Sequence, residues 1–352
     1  MESIVDLRSD TVSHPTPAMR EAMARAEVGD DVLGEDPTVN RLEAMAAEKM
    51  GKSAGLFVPS GTMGNLAAVL AHCQRGEEAI MGNLGHTYLF EAGGISALGG
   101  VFANTLPNQP DGTLNLDEVH GAIRGRDIHQ PVTRLLILEN THNRCGGVVL
   151  PTAYMQAAGE LMHSKGLKLH LDGARIFNAA AALGVKAADL AAPADSVTFC
   201  LSKGLCAPVG SVLCGSTEFI ASARRIRKQL GGGMRQAGVL AAAGIVALEQ
   251  MIERLPQDHT RARRLADGLA GIAGIEFPLG KPQSNMVFVQ LNQSLPLTAS
   301  EVAARLVSHG IKVGVTGPRM FRMVLHYWVG DSGIDRTLKA FQEVLRVQTS
   351  VS

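Results

Sequence analysis

Two polar residues stand where apolar runs end. Lys203 follows Val197-Thr198-Phe199-Cys200-Leu201-Ser202 and precedes Gly204, and Asp172 closes Leu167-Lys168-Leu169-His170-Leu171. An amine and a carboxylate carried at the ends of two strand-like segments can face one pocket. One cofactor chemistry demands that pair: pyridoxal phosphate needs an amine for its aldehyde and a carboxylate for its ring nitrogen. A carboxylate beside that nitrogen keeps it protonated, so the ring draws electrons. Each tenfold gain in proton affinity is worth about 1.4 kcal/mol. In Asp172-Gly173-Ala174-Arg175 the guanidinium can approach the ring's phenolic oxygen or a substrate group. A structural ion pair closing the turn is the alternative.

Other residues suit an anionic, planar ligand. Ser60-Gly61-Thr62 opens a segment with Met63, Leu66, Ala67 and Leu70 at helical spacing. The N–H groups and dipole of such a helix start favour an anion, and two hydroxyls add donors. The surrounding sequence has neither a GxGxxG nor a GxxxxGK[ST] pattern, so a monophosphate fits better than a dinucleotide. A plain Ser or Thr N-cap is the competing reading. His86, in Gly85-His86-Thr87-Tyr88, can stack on a planar ring or move protons near neutral pH. His129 precedes the Arg134 segment and by itself reads as a surface histidine. Arg322 alternates with Phe321, Met323 and Leu325, so it faces away from them and could clamp a carboxylate, or else form a surface ion pair. His170 and Asp172 share a strand face, which raises a metal site, but no third ligand accompanies them and no metal is expected.

These residues need a frame that brings strand ends together. Short strand-like runs at 55–58, 79–81, 134–138, 167–171, 196–200 and 211–214 alternate with helical patterns, which predicts an α/β fold with a mainly parallel sheet. Ligands in such sheets collect outside the carboxyl ends of the strands, where Glu139-Asn140, Asp172 and Ser202-Lys203 all fall. From about Gly244 the texture changes to a charged helical stretch (249–269), strands at 286–289, 311–315 and 321–329, and a final helix with Leu338, Phe341 and Leu345. The expected division is a large domain over 1–245, with its N-terminal segment reaching the site, and a smaller α+β domain over 246–352. Gly231-Gly232-Gly233 reads as a loop needing positive φ or close backbone approach.

Composition narrows the function classes. Apolar residues make up 46% of the 352, charged residues 19%, and 33 basic residues balance 33 acidic ones. That balance argues against a nucleic-acid or membrane partner. Arg224-Arg225-Ile226-Arg227-Lys228 reads as a solvated helix face. Cys73, Cys145, Cys200, Cys206 and Cys214 form no CxxC pair, as expected for idle thiols in a reducing compartment. No signal peptide is visible at Met1-Glu2-Ser3-Ile4-Val5-Asp6, and the longest apolar stretch, Val239 to Leu248, is too short to span a bilayer. A cytoplasmic protein is expected.

Seven segments in order carry a resemblance: 6–11, 29–38, 86–94, 139–143, 171–178, 201–205 and Gly231-Gly232-Gly233-Met234-Arg235-Gln236. Together they resemble the low-specificity L-threonine aldolases, fold type I (aspartate-aminotransferase-like) enzymes that use pyridoxal 5'-phosphate. The resemblance implies cleavage of L-threonine, L-allo-threonine and related β-hydroxy-α-amino acids to glycine and an aldehyde. A β-eliminating lyase or an aminotransferase on the same scaffold is the runner-up. Lys203 would then condense with the cofactor's aldehyde beside Ser202, Asp172 would hold the ring nitrogen and Arg175 the phenolic oxygen. His86 would stack on the ring, and Ser60, Gly61 and Thr62 would cup the phosphate. Ser9, Arg175 and Arg322 would hold the amino acid's carboxylate, and the β-hydroxyl proton would pass to His86, His129 or a water. Lys228 and Arg235 would reach a neighbouring subunit's cofactor in a homotetramer built from dimers. Arg144-Cys145-Gly146-Gly147 is the visible departure from the family pattern.

Overall fold

The computed structural model describes residues 4–346. Its main sheet has seven strands: β1 (Ala54–Val58), β2 (Glu78–Gly82), β3 (Phe102–Leu106), β4 (Thr133–Glu139), β5 (Lys168–Asp172), β6 (Ser196–Cys200) and β7 (Ser211–Gly215). Their order across the sheet is β1-β7-β6-β5-β4-β2-β3. Five of them run parallel, β3-β2-β4-β5-β6, and β7 runs antiparallel to both β1 and β6. The exception follows from chain length. A parallel return needs a crossover of a dozen or more residues, usually a helix, and the 201–210 link holds none. That link carries Lys203, so the short reversal itself sets the amine at the carboxyl end of β6. In the neighbouring rows Glu139 pairs with Asp172, and Asp172 with Thr198, which brings the strand-end polar groups side by side.

The sheet is buried by helices that include α1 (Pro37–Met50), α2 (Gly61–His72) and α3 (Thr152–Ser164). The large core contains Phe57, Ile80, Leu136, Leu138, Leu169, Leu171, Val197, Phe199 and Val212, and extends to Leu255. A second core joins Val287, Val289, Phe321, Met323 and Phe341 to Val5 and Leu7 from the other end of the chain. Around it lies a four-stranded antiparallel sheet that includes Met286–Leu291, Gly314–Val315 and Met320–Val324.

Two expected strands of this region come out differently. The 311–315 run divides: Ile311–Lys312 pairs in parallel with Val5–Asp6, whereas Gly314–Val315 joins Met320–Val324. The 321–329 run leaves the sheet after Val324, because its later polar groups serve the N-terminal segment instead. The His326 ring lies 2.9 Å from the Asp6 carbonyl and Trp328 Nε1 donates to the His14 carbonyl at 2.8 Å.

The basic run on α4 (Thr217–Gln229) is only partly a solvated face. Arg227 is 2% exposed and donates to Asp31 Oδ2 and the Phe57 carbonyl, both at 2.7 Å. Gly231, just beyond, has φ +80°, and a Cβ on Gly232 would lie 2.2 Å from Met63 Sδ, so the glycine run supplies both a left-handed turn and a close approach. All five cysteines are free and buried. Among the described residues no helix is long and apolar enough to cross a membrane.

Candidate active site

Asp172, the last residue of β5, is buried, and each of its oxygens accepts one hydrogen bond. Asn65 Nδ2 reaches Oδ2 at 2.9 Å and the Ala174 N–H reaches Oδ1 at 3.1 Å. Lone pairs remain on both oxygens. The half-buried Lys203 comes from the β6–β7 link, and its backbone carbonyl is fixed by Ser13 Oγ at 3.1 Å. Lys203 acts electrostatically on both Asp10, in the N-terminal segment, and His86, after β2.

His86 is anchored twice. Its N–H donates to Glu139 Oε2 at 2.7 Å, and its Nδ1 lies 2.9 Å from Glu91 Oε1. The Glu91 hydrogen bond raises the imidazole above its ordinary value; burial opposes this, Asp172 adds to it and Lys203 opposes it. Glu91 is itself pushed up by burial and by Asp172, against the pull of His86 and Asn65. Ligating atoms of His86, Glu91 and Asp172 all lie within 4.8 Å of one another.

The opposite wall is cationic. Arg175 is buried and forks onto Asp10, Nε to Oδ2 at 2.7 Å and Nη2 to Oδ1 at 2.5 Å. Burial alone would raise the Asp10 carboxyl, but the charge and hydrogen bonds of Arg175, helped by Lys203 and His326, hold it at about 2. Burial alone would lower Arg175, and Asp10 raises it instead. Arg322 donates from Nη1 to Asn143 Oδ1 at 3.0 Å and from Nη2 to the Arg8 carbonyl at 3.2 Å. Burial lowers it, and the like charges of Arg175 and Arg144 lower it further. Ser9 caps the turn at Asp10–Val12, taking the Thr11 N–H at 3.2 Å, with its hydroxyl 3.5 Å from Asp10 Oδ1.

At the start of α2, Ser60 Oγ takes the N–H of Met63 at 3.2 Å, so the N-cap reading is correct. It does not exclude the anion reading, since the N–H groups of Gly61 and Thr62 have no acceptor among the described residues.

These residues fit pyridoxal phosphate by what they leave unpaired. Among the described residues two backbone N–H groups lack an acceptor, the Asp172 carboxylate keeps free lone pairs, and the Nε atoms of Arg144 and Arg322 are buried without a hydrogen-bond partner. Arg322 feels the like charges of Arg175 and Arg144, and Asp10 is the counter-charge that acts on both Arg175 and Arg322.

Hydrogen bonds and charge effects link Ser9, His86, Asp172, Arg175, Lys203 and Arg322, with Asp10 common to several of them. Ser202 adjoins Lys203 and is half-buried. Three residues lie elsewhere on the subunit. His129 sits in an exposed loop ahead of β4, at the strand end opposite Asp172; its side chain is 82% exposed and its ring nitrogen pairs with Asp127. Arg235 bonds Asp30 at 2.9 Å and is 57% exposed. Lys228 ends α4 against Gly233. His170 is no metal ligand here: both ring nitrogens are occupied, by Ser196 Oγ at 2.8 Å and Asn65 Oδ1 at 3.2 Å.

Sequence reasoning missed Asp10, Asn65, Glu91 and Asn143. Asp10 and Glu91 lie inside the segments that carry the resemblance, and Asn65 is a lone amide within an apolar helix pattern. Either feature could have flagged them.

The beta-eliminating lyase family model matches residues 6–292. The chain is 49% identical over 344 residues to low-specificity L-threonine aldolase 1 of Arabidopsis thaliana, covering 97% of this chain and 96% of that one. It is 50% identical over 290 residues to the low specificity L-threonine aldolase of Escherichia coli (strain K12), covering 82% and 85%. Among solved structures, Leishmania major threonine aldolase superposes with a TM-score of 0.83 at 21% identity, covering 97% of this chain and 99% of that one.

Proposed function

The chain belongs to the low-specificity L-threonine aldolases of the beta-eliminating lyase family, and we propose that it works at the rim shared by Lys203, Asp172, Arg175 and Arg322. It is a pyridoxal-phosphate-dependent lyase that cleaves L-threonine and related β-hydroxy-α-amino acids to glycine and an aldehyde. The observation that carries the site assignment is the gathering of Arg175, Arg322 and Lys203 around the buried Asp10, beside the buried Asp172.

The cofactor, when bound, supplies the electron sink that accepts the pair from the broken Cα–Cβ bond. Lys203 is the amine that tethers it, with Ser202 alongside, and Asp172 holds its ring nitrogen. Arg175 has one fork on Asp10 and turns its remaining N–H groups to the phenolic oxygen and the substrate. His86 covers the ring face, and Ser60, Gly61 and Thr62 receive the phosphate. Arg322, Arg175 and the Ser9 hydroxyl seat the amino acid's carboxylate, which limits rotation at Cα and so decides which of its bonds breaks. With Nδ1 engaged by Glu91, neutral His86 presents its lone pair on Nε2, from which it or a water it holds takes the β-hydroxyl proton. The Cα–Cβ bond then opens to release the aldehyde, and Lys203, freed from the cofactor by the substrate's own amine, would supply the proton that Cα needs to complete glycine.

The same reading includes assembly and location. The subunits form a homotetramer built from dimers, in which Lys228 and Arg235 approach a neighbour's cofactor. His129, distant from its own strand ends, serves from a neighbour as well. The domains divide as 1–245 and 246–352, although Leu255 still packs in the large core and Val5 and Leu7 in the small one, and five free thiols suit a cytoplasmic setting. The test is incubation with L-threonine and L-allo-threonine, coupled to a dehydrogenase that consumes acetaldehyde. Glycine and acetaldehyde in equal amounts are expected; pyruvate or a keto acid instead would refute the reading in favour of elimination or transamination.

A further inference from the structure

We infer that Asn65 is a positioning residue for Asp172, its amide oriented by a one-way chain of hydrogen bonds that starts at His72. The inference rests on the reading that Asp172 faces the cofactor's ring nitrogen, and it concerns how that carboxylate is held there.

Asn65 is 2% exposed on α2, and its Nδ2 lies 2.8 Å from Glu91 Oε1 and 2.9 Å from Asp172 Oδ2. An amide nitrogen has two hydrogens, and two acceptors use both. The reversed amide would set a carbonyl oxygen against two carboxylates, so Oδ1 must face the other way. There it meets His170 Nε2 at 3.2 Å, and this nitrogen therefore carries the proton. Burial pushes His170 down to about 4, so at neutral pH the ring is neutral and its Nδ1 is an acceptor. Ser196 Oγ, 2.8 Å away, is left to donate to it. The same hydroxyl then accepts from His72 Nε2 at 2.8 Å, a ring that burial first and His170 next bring down to about 3.

Every donor in the chain thus points towards Asp172 and Glu91, from His72 through Ser196, His170 and Asn65. A buried row of aligned donors stabilises negative charge at its end. Asn65 also keeps two neighbouring carboxylates apart by giving each its own N–H. With Asn65 on Oδ2 and Ala174 N–H on Oδ1, rotation of the Asp172 carboxylate is blocked from both sides. The bland account, a histidine and an asparagine that merely satisfy each other in the core, explains the bonds. It predicts no dependence on the ligand's ring nitrogen.

That difference is measurable on the cofactor-free protein. Its affinity for pyridoxal phosphate is compared with its affinity for the 1-deaza analogue, in which carbon replaces the ring nitrogen. Asn65→Ala is expected to weaken binding of pyridoxal phosphate roughly tenfold to a hundredfold, the scale of a charge-assisted hydrogen bond, while the analogue changes by less than about threefold. Ser196→Ala leaves Asn65 in place and breaks the chain one link further out. It should show the same preference, on the order of threefold to fivefold, and it decides the matter if Asn65→Ala does not fold. Equal losses for both ligands in these variants overturn the inference. Asp172→Ala is the control for the reading beneath it. If that variant discriminates and the others do not, only the inference falls; if it too loses both ligands equally, the assignment of Asp172 falls first.

Discussion

The Asp10–Arg175 fork offers the sharpest test of the electrostatic argument. Asp10 has no exposed surface, and its carboxyl lies at about 2 rather than at its ordinary 3.8. At about 1.4 kcal/mol per tenfold change in proton affinity, that difference is roughly 2 kcal/mol of net stabilisation from the ionised form, burial cost included. Asp10→Asn removes the charge and leaves Arg175 and Arg322 facing each other without it. Breaking one side of a buried pair costs about 3–5 kcal/mol, so the expected loss is between roughly 2 and 5 kcal/mol. Urea unfolding of the cofactor-free protein at pH 7, followed by circular dichroism, measures it. The double variant Asp10→Asn, Arg175→Met should lose less than the sum of the two single changes by at least about 1.5 kcal/mol, since no lone charge stays buried. The sign of the pH dependence is fixed. A depressed carboxyl contributes fully above its unfolded value of 3.8, and its contribution disappears as pH falls through about 2. The gap between wild type and Asp10→Asn should therefore hold at pH 5–7 and close below about pH 4. A loss under about 0.5 kcal/mol at neutral pH, or strict additivity in the double variant, would refute the reasoning.

Four further outcomes are expected. Lys203→Ala should fold but neither turn over threonine nor develop the visible absorbance of bound cofactor; a coloured, active variant removes Lys203 from its role. Arg322→Met should raise KM for threonine roughly tenfold to a hundredfold with a smaller change in kcat, and an unchanged KM counts against the carboxylate clamp. Glu91→Gln removes the main group that lifts His86, with Asp172 still lifting it and Lys203 opposing, so the acid limb of the kcat/KM profile should move to lower pH. A limb that stays in place or moves up argues that His86 is not the base. Gly64→Ala sets a Cβ 2.6 Å from Thr198 Cγ2 and should cost about 1–3 kcal/mol in the same unfolding assay, with wild-type stability contradicting the tight helix–sheet contact.

Residues at strand ends were legible because periodicity and one topological rule locate them. Lys203, Asp172 and Glu139 each close an apolar run, and the carboxyl ends of a parallel sheet are where ligands sit. The antiparallel β7 was less visible, since the apolar pattern of a buried strand has no direction; only the short link before it carries that information. Asp10 was read as part of a motif and not as the partner of Arg175, because 165 residues separate them and no local pattern encodes such a pairing. Asn65 was passed over within an apolar helix pattern, because its meaning depends on three acceptors and donors from other elements. Arg227 misled in the opposite direction: a run of like charges reads as solvated, yet Asp31 draws one of them inside. His129 was carried by resemblance alone, and its loop in a single subunit leaves it in solvent.

The N-terminal segment binds the two ends of the chain into one act of assembly. Val5–Asp6 lines up with Ile311–Lys312, while four residues later Asp10 neutralises Arg175 in the large core. During synthesis the Val5–Asp6 strand therefore has no mate until Ile311 and Lys312 have been made. Asp10 and Ser13 of the same segment also bind Arg175 and the Lys203 carbonyl, so the strand pairing completes an anchorage that these earlier residues share. A chain that stops short of Ile311 would keep Lys203 and leave Val5–Asp6 without its strand partner.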